Sequence, residues 1–562
     1  MGLLASLLLK AAARGPAKRF EAATRNPREA QTRRLRAICE LNAGTEFGAE
    51  HNFASVRTLA DFAARVPVCD YEELRPRIQR MLQGERNVLL AEPVELFART
   101  SGTSGEPKFI PSTRRCRLED HVPAVRTWFH HALQAHPQLF SGGILSLTSP
   151  AVEGRTPCGI PFGSVSGLIQ QNMPALVRSS YVTPPELATS ADHEGRWYAL
   201  ALLGLAADIT FLGTANPSSV LRLVETADRR SDDLLRDLHD GTFTGAPKLE
   251  PALAALVRRR LKPRAERSAA LENLRRIRGG RLLPADYWPR LQLIGCWKGG
   301  TVGGHVERFA PWFAPDGRAV PVRDWGWLSS ECRGSIPLTD SGSAGVMAAD
   351  RVVLEFVPAE MLERLGQPET LPLEALETGR EYGVVITTGG GLYRYDMNDI
   401  VEVVGRHNET PMVVFKRKGR GMTSITGEKL SVNQVIVAVE LAARASGVVI
   451  DHFRAEADAD ESRYILLVES RRGLPPMACL PFLAAFDAQV ARLNLEYAAK
   501  RASGRLLHPV LHVMRRGWYE QGRQAVADAG GRAFQAKTIV LRTRIHDERS
   551  EPERIVTEDG TA

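Results

Sequence analysis

The chain has 562 residues, 44% hydrophobic and 25% charged, and a formal net charge of +8 from 73 basic and 65 acidic side chains. That length exceeds what one hydrophobic core usually supports, so more than one domain is expected, and the ordinary composition excludes a largely disordered chain. A basic surplus this mild favours anionic small molecules and does not demand nucleic acid.

The first ten residues, Met1-Gly-Leu-Leu-Ala-Ser-Leu-Leu-Leu-Lys10, are apolar over too short a run to span a bilayer, and no basic region precedes them. They predict an amphipathic first helix rather than a signal peptide. Apolar residues at three- and four-residue spacing predict a largely helical region up to about residue 85. The runs Val88-Leu-Leu-Ala91 and Leu96-Phe97 then predict buried β-structure leading into the segment Arg99-Thr-Ser-Gly-Thr-Ser-Gly-Glu-Pro-Lys108. Gly102 and Gly105 free the backbone there, Thr100, Ser101, Thr103 and Ser104 crowd hydroxyls around it, and Lys108 adds a positive charge. Such a loop can wrap a polyphosphate, although it lacks the kinase and GTPase P-loop pattern; a flexible polar surface loop is the other reading.

Further on, Ile144-Leu-Ser-Leu-Thr, Asp208-Ile-Thr-Phe-Leu, Leu291-Gln-Leu-Ile-Gly and Val352-Val-Leu-Glu-Phe read as strands. Helical stretches at residues 197–206 and 218–238 lie between them, and this alternation predicts an α/β fold. The basic residues from Arg258 through Arg281, interleaved with Leu261, Ala269, Leu271 and Leu274, read as an amphipathic helix with a charged outer face rather than a nucleic-acid patch. After the basic stretch Phe415-Lys-Arg-Lys-Gly-Arg-Gly421 the pattern restarts as a smaller unit, with a helix near 432–445, a strand at 464–468 and a long helix around 481–498. The domains expected are residues 1–419 and 420–562. The seven cysteines are scattered and no pair has CxxC spacing, which suggests neither a zinc site nor a disulfide framework and fits a reducing cytoplasm.

The segment from Thr100 to Lys108 resembles the phosphate loop of the adenylate-forming enzymes, with Phe109 where most members have glycine. Other motifs extend the resemblance over nearly the whole chain: Thr45-Glu-Phe-Gly-Ala-Glu50, Val66-Pro-Val-Cys-Asp-Tyr71, Gly84-Glu-Arg-Asn-Val88 and Trp297-Lys-Gly-Gly-Thr-Val-Gly-Gly304. It continues through Trp327-Leu-Ser-Ser-Glu-Cys332, Gly391-Leu-Tyr-Arg-Tyr-Asp-Met-Asn-Asp399, Thr426-Gly-Glu-Lys-Leu430 and Gln535-Ala-Lys537. In order and spacing these resemble the auxin-responsive, or Gretchen Hagen, acyl acid–amido synthetase family in its bacterial form.

The resemblance implies a large N-terminal adenylate-forming domain of mixed sheets flanked by helices, and a small mobile α/β C-terminal domain. It implies an ATP- and Mg²⁺-dependent enzyme that converts a carboxylic acid to its acyl-adenylate and passes the acyl group to an amine, plausibly an amino acid. Thr100, Ser101, Gly102, Thr103, Ser104, Gly105 and Lys108 would hold the phosphates. Trp327, Ser329 and Ser330 would lie at the nucleotide, and Glu331 would bind Mg²⁺, which prefers hard oxygen ligands. Asp399 would accept the ribose hydroxyls, as an ionised carboxylate can. Lys537 would stabilise charge during adenylation, and Arg417 in the basic stretch is a further phosphate candidate. Phe162, Ser164 and Val165 are candidates for the acyl and amine pocket. The chain departs from the family at Trp327, where tyrosine is usual, at Asn398, where glycine is common, and at Ala536 and Thr538 around Lys537. The alternatives are a ligase handing the acyl group to coenzyme A or a carrier, and a non-catalytic nucleotide-binding relative. A cytoplasmic monomer with no nucleic-acid partner and no membrane span is expected.

Overall fold

The structure is a computed structural model and describes residues 2–100, 107–362, 367–419, 421–470, 472–519, 521, 540–544 and 552–561. The architecture is α/β, in two compact units: one holds Met1–Thr100 and Lys108–Arg417, and the other holds Pro107 and the described residues from Lys418 onward.

The first unit opens with the helices Gly2–Arg25, Pro27–Asn42, Glu46–Glu50, Leu59–Ala63 and Tyr71–Leu82, so the helical reading of this region holds. Their boundaries are written in local chemistry. Asn26 caps Pro27–Asn42 through the Glu29 N–H, and Asp70 with Glu73 forms a reciprocal capping box at the start of Tyr71–Leu82. Residues Val88, Leu89 and Leu90 are buried as expected but lie outside any strand; the strand is Val94–Thr100. It pairs antiparallel with Lys108–Thr113, so that Thr100 faces Lys108, and parallel with Pro161–Gly163.

A second sheet, fully parallel, runs Gly143–Leu147, Ile209–Thr214, Leu293–Gly295 and Val322–Arg323, with the predicted runs at 144, 208 and 291 supplying three of its four strands. Its core is built with His193–Leu205, Pro217–Arg229 and Ser231–Asp240, so the single helix expected at 218–238 is two. The basic stretch differs more. It forms two helices, Pro251–Arg258 and Ala265–Ile277, because Pro263 between them cannot donate to a continuing helix. Pro263 instead lies against Gly241, whose φ of +69° ends Ser231–Asp240. Arg267 is not on a solvated outer face: it donates to the carbonyls of Leu205, Ala207 and Tyr287.

A seven-stranded sheet closes the unit, in the order Leu371–Pro372, Val353–Pro358, Glu381–Thr387, Tyr395–His407, Thr410–Lys418, Gly345–Met347, Ser335–Ile336. A buried ion pair within this sheet orients one of its links to the N-terminal helices. Arg394, at φ +46°, points its guanidinium at Glu355, 2.9 Å away, with the two side chains 5% and 1% exposed. The same guanidinium donates to the carbonyls of Ala63 and Val66 and to the Thr370 hydroxyl.

In the second unit a six-stranded sheet runs Leu541–Thr543, His452–Asp458, Arg463–Glu469, Val510–Val513, Arg554–Thr557, Gly560–Thr561. Tyr464, Leu466 and Val468 face the helices Val432–Ser446, Pro476–Leu493 and Leu495–Ala502, and Ile465 and Leu467 face Met514 and Trp518. The long helix expected at 481–498 is thus divided, at Asn494, which caps the second helix through the Tyr497 N–H. In the turn before Leu430 the buried Glu428 carboxylate accepts the N–H groups of Ile425 and Thr426 and the Tyr464 hydroxyl.

Removing one partner of a buried ion pair strands the other charge and costs about 3–5 kcal/mol. Glu355→Ala is therefore expected to lower the unfolding free energy of the first unit by that amount, seen as a lower urea midpoint in tryptophan fluorescence. A loss below about 1 kcal/mol, the size of a surface pair, would show that the pair does not anchor Arg394.

Candidate functional site

The site residues of the first unit come from three places: the strand pair around Thr100 and Lys108, a tight hairpin over residues 327–335, and the start of the strand Tyr395–His407. Residues 101–106, which carry Ser101, Gly102, Thr103, Ser104 and Gly105, lie outside the described residues, as does Lys537. Their flanks are described. Thr100 ends its strand opposite Lys108. The Lys108 ammonium sits 3.4 Å from the Tyr395 hydroxyl and 5.2 Å from the centre of the Tyr71 ring. Tyr71, on Tyr71–Leu82, accepts the Phe109 N–H at 2.7 Å and so ties the strand after the loop to the helical layer.

The hairpin is held by its own polar groups. The Ser329 N–H donates to the Cys332 carbonyl at 2.8 Å, and the Ser329 hydroxyl accepts the N–H groups of Glu331 and Cys332 at 3.2 and 3.4 Å. Ser329 thus makes the turn that presents Ser330 and Glu331. Trp327 donates its backbone N–H to the Ser335 hydroxyl at 2.8 Å and its indole N–H to the Asp399 carboxylate, also at 2.8 Å. The ring lies on Gly334, where any side chain would overlap it.

Asp399, 4% exposed, and Glu331, 8% exposed, are therefore both buried carboxylates presented by this junction. Asn398 before Asp399 is at φ +50°, the left-handed turn that asparagine tolerates, which accounts for its standing where glycine is common. Burial pushes the Tyr71 phenol up to about 12 and the Tyr395 phenol well above its ordinary value, with the Glu331 charge adding to both. Lys108, Tyr71, Tyr395 and Glu331 thus share one electrostatic environment. Burial raises the Cys332 thiol, and the charges of Glu331 and Asp399 raise it further. That thiol stays protonated at neutral pH and is no nucleophile.

The remaining candidates have other placements. Arg417 pairs with Glu381 at 2.6 Å along the seven-stranded sheet. Phe162 meets Phe109 edge-to-face at 5.4 Å and, with Pro76, Gln79, Leu82 and Thr156, lines an open cleft of about 610 Å³. Ser164 caps the helix Val165–Gln171, accepting the Gly167 N–H at 3.0 Å, and Val165 is buried in the core; neither lines that cleft. Tyr71, Gly334 and the buried His121 are neighbours of the site that no motif singled out for chemistry, although Tyr71 closes one of the family-like segments. Among the described residues no cluster of three metal-ligating side chains occurs. A lone carboxylate such as Glu331 nevertheless fits Mg²⁺, which takes one or two carboxylates and completes its shell with water and substrate phosphates. No helix among the described residues is long and apolar enough to cross a membrane.

Comparison with known proteins places this geometry in a family. The models of the GH3 family N-terminal, central and C-terminal domains match residues 16–316, 345–418 and 433–544 in that order, and the hairpin of Trp327 falls between the first two. The chain is similar to the probable indole-3-acetic acid-amido synthetase GH3.2 of Oryza sativa subsp. japonica, 28% identical over 92% of this chain and 89% of the relative. It is 27% identical to the indole-3-acetic acid-amido synthetase GH3.2 of Arabidopsis thaliana, over 76% of this chain and 80% of that one. In fold it resembles the solved structure of the AtGH3.15 acyl acid amido synthetase in complex with 2,4-DB, with a TM-score of 0.64, 19% identity, and coverage of 95% and 94%. With its N-terminal model alone spanning more than half of the residues and the other two following in register, the chain belongs to the GH3 family.

Proposed function

We propose that this protein is an ATP-dependent acyl-acid amido synthetase, which adenylates a carboxylic acid and then transfers the acyl group to an amine, an amino acid in the first instance. The observation that carries the reading is the convergence of Lys108, Glu331 and the Trp327–Asp399 pair in a chain of this family.

A carboxylate becomes an electrophile when it displaces pyrophosphate from ATP, so catalysis is mainly positioning and charge stabilisation. Thr100, Ser101, Gly102, Thr103, Ser104 and Gly105 would cradle the phosphates, and the Lys108 ammonium would neutralise the departing pyrophosphate oxygens. Glu331 would hold Mg²⁺, which when bound offsets the charge of the phosphate oxygens. Asp399, one oxygen held by the Trp327 indole, would take the ribose hydroxyls. Lys537 would approach the reacting oxygens as the C-terminal domain, residues 420–562, closes on residues 1–419, with Arg417 near that hinge. Ser329 and Ser330 would present the turn to the nucleotide, and Phe162 would border the acyl and amine pocket beside Ser164 and Val165. We place the enzyme in the cytoplasm as a monomer.

The test is pyrophosphate release over a panel of acids crossed with amines, with products identified by mass spectrometry. An amide product is expected. A thioester formed with coenzyme A instead would redirect the reading to a thiol-acceptor ligase, and no acid-dependent release across the panel would indicate a non-catalytic relative. In the active pair, Glu331→Ala and Lys537→Ala are each expected to lower kcat by about 10²-fold or more, the scale of losing one charge-stabilising group. An enzyme indifferent to both changes would remove those two assignments.

Trp327→Phe keeps the ring on Gly334 and deletes only the N–H that reaches Asp399. A hydrogen bond to a charged group is worth about 1.5–3 kcal/mol, so the KM for ATP is expected to rise by about tenfold or more. An unchanged KM for ATP would show that the indole does not position Asp399 for the nucleotide.

A further inference from the structure

The hairpin that presents Glu331 also carries a cation without a counter-charge. Arg333 pairs with Leu328 across the hairpin in a single antiparallel bridge, two residues beyond Glu331. Its Nε is enclosed and has no hydrogen-bond partner, while the side chain as a whole is half-buried, so the terminal nitrogens reach open space. No ion pair or hydrogen bond links its side chain to any described residue.

Other arginines of the same unit are treated differently. Arg394 has Glu355 at 2.9 Å, Arg117 has Glu95 at 2.7 Å, and Arg34 has Asp120 at 2.6 Å. Arg323 has Asp340 at 2.6 Å, and Arg267, which has no carboxylate, is given three carbonyl oxygens. Desolvating a guanidinium without an acceptor is costly, so a fold that supplies acceptors at these positions and none here leaves room for an external one.

The surroundings agree. His121, on the wide turn Arg117–His121, feels the Arg333 charge and is held at about 3 by burial first, so it is neutral at physiological pH and supplies no negative charge. Turns of that π type are over-represented at functional sites. Of the two carboxylates of the hairpin junction, Asp399 accepts the Trp327 indole, and no ion pair joins either of them to Arg333.

We propose that Arg333 is an anion receptor of the substrate site, whose guanidinium takes the two oxygens of a carboxylate or phosphate carried by one of the substrates. A planar guanidinium matches either group in a bidentate fork. The inference rests on the amido-synthetase reading for its possible sources: the acid and the amino acid bring carboxylates, and ATP brings phosphates.

Two experiments on the full chain test it. The first is thermal melting of wild type, Arg333→Met and Arg333→Lys with no added anion. Methionine fills the space without a stranded charge, so Arg333→Met is expected to melt about 1–2 °C above wild type. A variant that melts below wild type overturns the inference, because Arg333 would then be satisfied within the fold. The second varies ATP, acid and amine separately, with the acid and amine found in the panel above. Arg333→Met is expected to raise KM for one of the three by about tenfold or more and leave the other two within about twofold, with Arg333→Lys recovering part of the loss. The substrate affected names the anion's source. Unchanged KM values for all three overturn the inference. A chain inactive toward every acid would sink the amido-synthetase reading instead, and the melting comparison would still decide the case of Arg333.

Discussion

The buried pair between Arg394 and Glu355 is the constraint on which the candidate site depends. Arg394 lies inside the segment from Gly391 to Asp399, and its guanidinium also reaches the carbonyls of Ala63 and Val66. One side chain thus joins the seven-stranded sheet to the N-terminal helical layer. Its neighbours in sequence are placed by that anchor: Tyr393 donates to the Leu89 carbonyl at 2.6 Å and stacks on Phe47, while Tyr395 turns toward Lys108. Asp399 follows four residues on, and its place at the junction with the hairpin inherits the same anchoring. A buried ion pair seldom adds much net stability, but it is intolerant of alternatives, and that intolerance fixes a register.

The hairpin over residues 327–335 is built by a different principle. Its turn is closed by one serine hydroxyl, its flank by one glycine, and its link to the sheet by one indole N–H. Tryptophan at its start supplies a donor of its own, because the indole N–H meets Asp399. The Asp399 carboxylate is consequently held by the indole before any ligand arrives. Arg333, on the same hairpin, is the one member of this environment whose charge has no acceptor among the described residues.

Much of this was legible in the chain itself, for reasons that differ by element. The helical region up to about residue 85 declares itself because apolar spacing of three and four residues is a local pattern. The strands at 143–147, 209–214 and 353–358 declare themselves as short apolar runs between turn residues. Helical periodicity misleads where it runs across a breaker: Pro263 splits the basic stretch and Asn494 splits the long C-terminal helix. Arg267 departs from the expected outer face because sequence does not reveal the three carbonyls that receive it.

The chain alone carried the α/β class and the family, and it named the segment Thr100 to Lys108 and the carboxylates Glu331 and Asp399 as candidates. These are properties of short segments and of their order. Tertiary structure alone decided which side chains meet: that Trp327 donates to Asp399, that Tyr71 and Tyr395 flank Lys108, that Ser164 is a cap and Val165 is core. Such pairings join residues tens to hundreds of positions apart, and their partners are chosen by burial and by the need of every enclosed polar group for an acceptor. No local pattern records that choice, and for Arg333 the fold leaves the acceptor to come from outside the described chain.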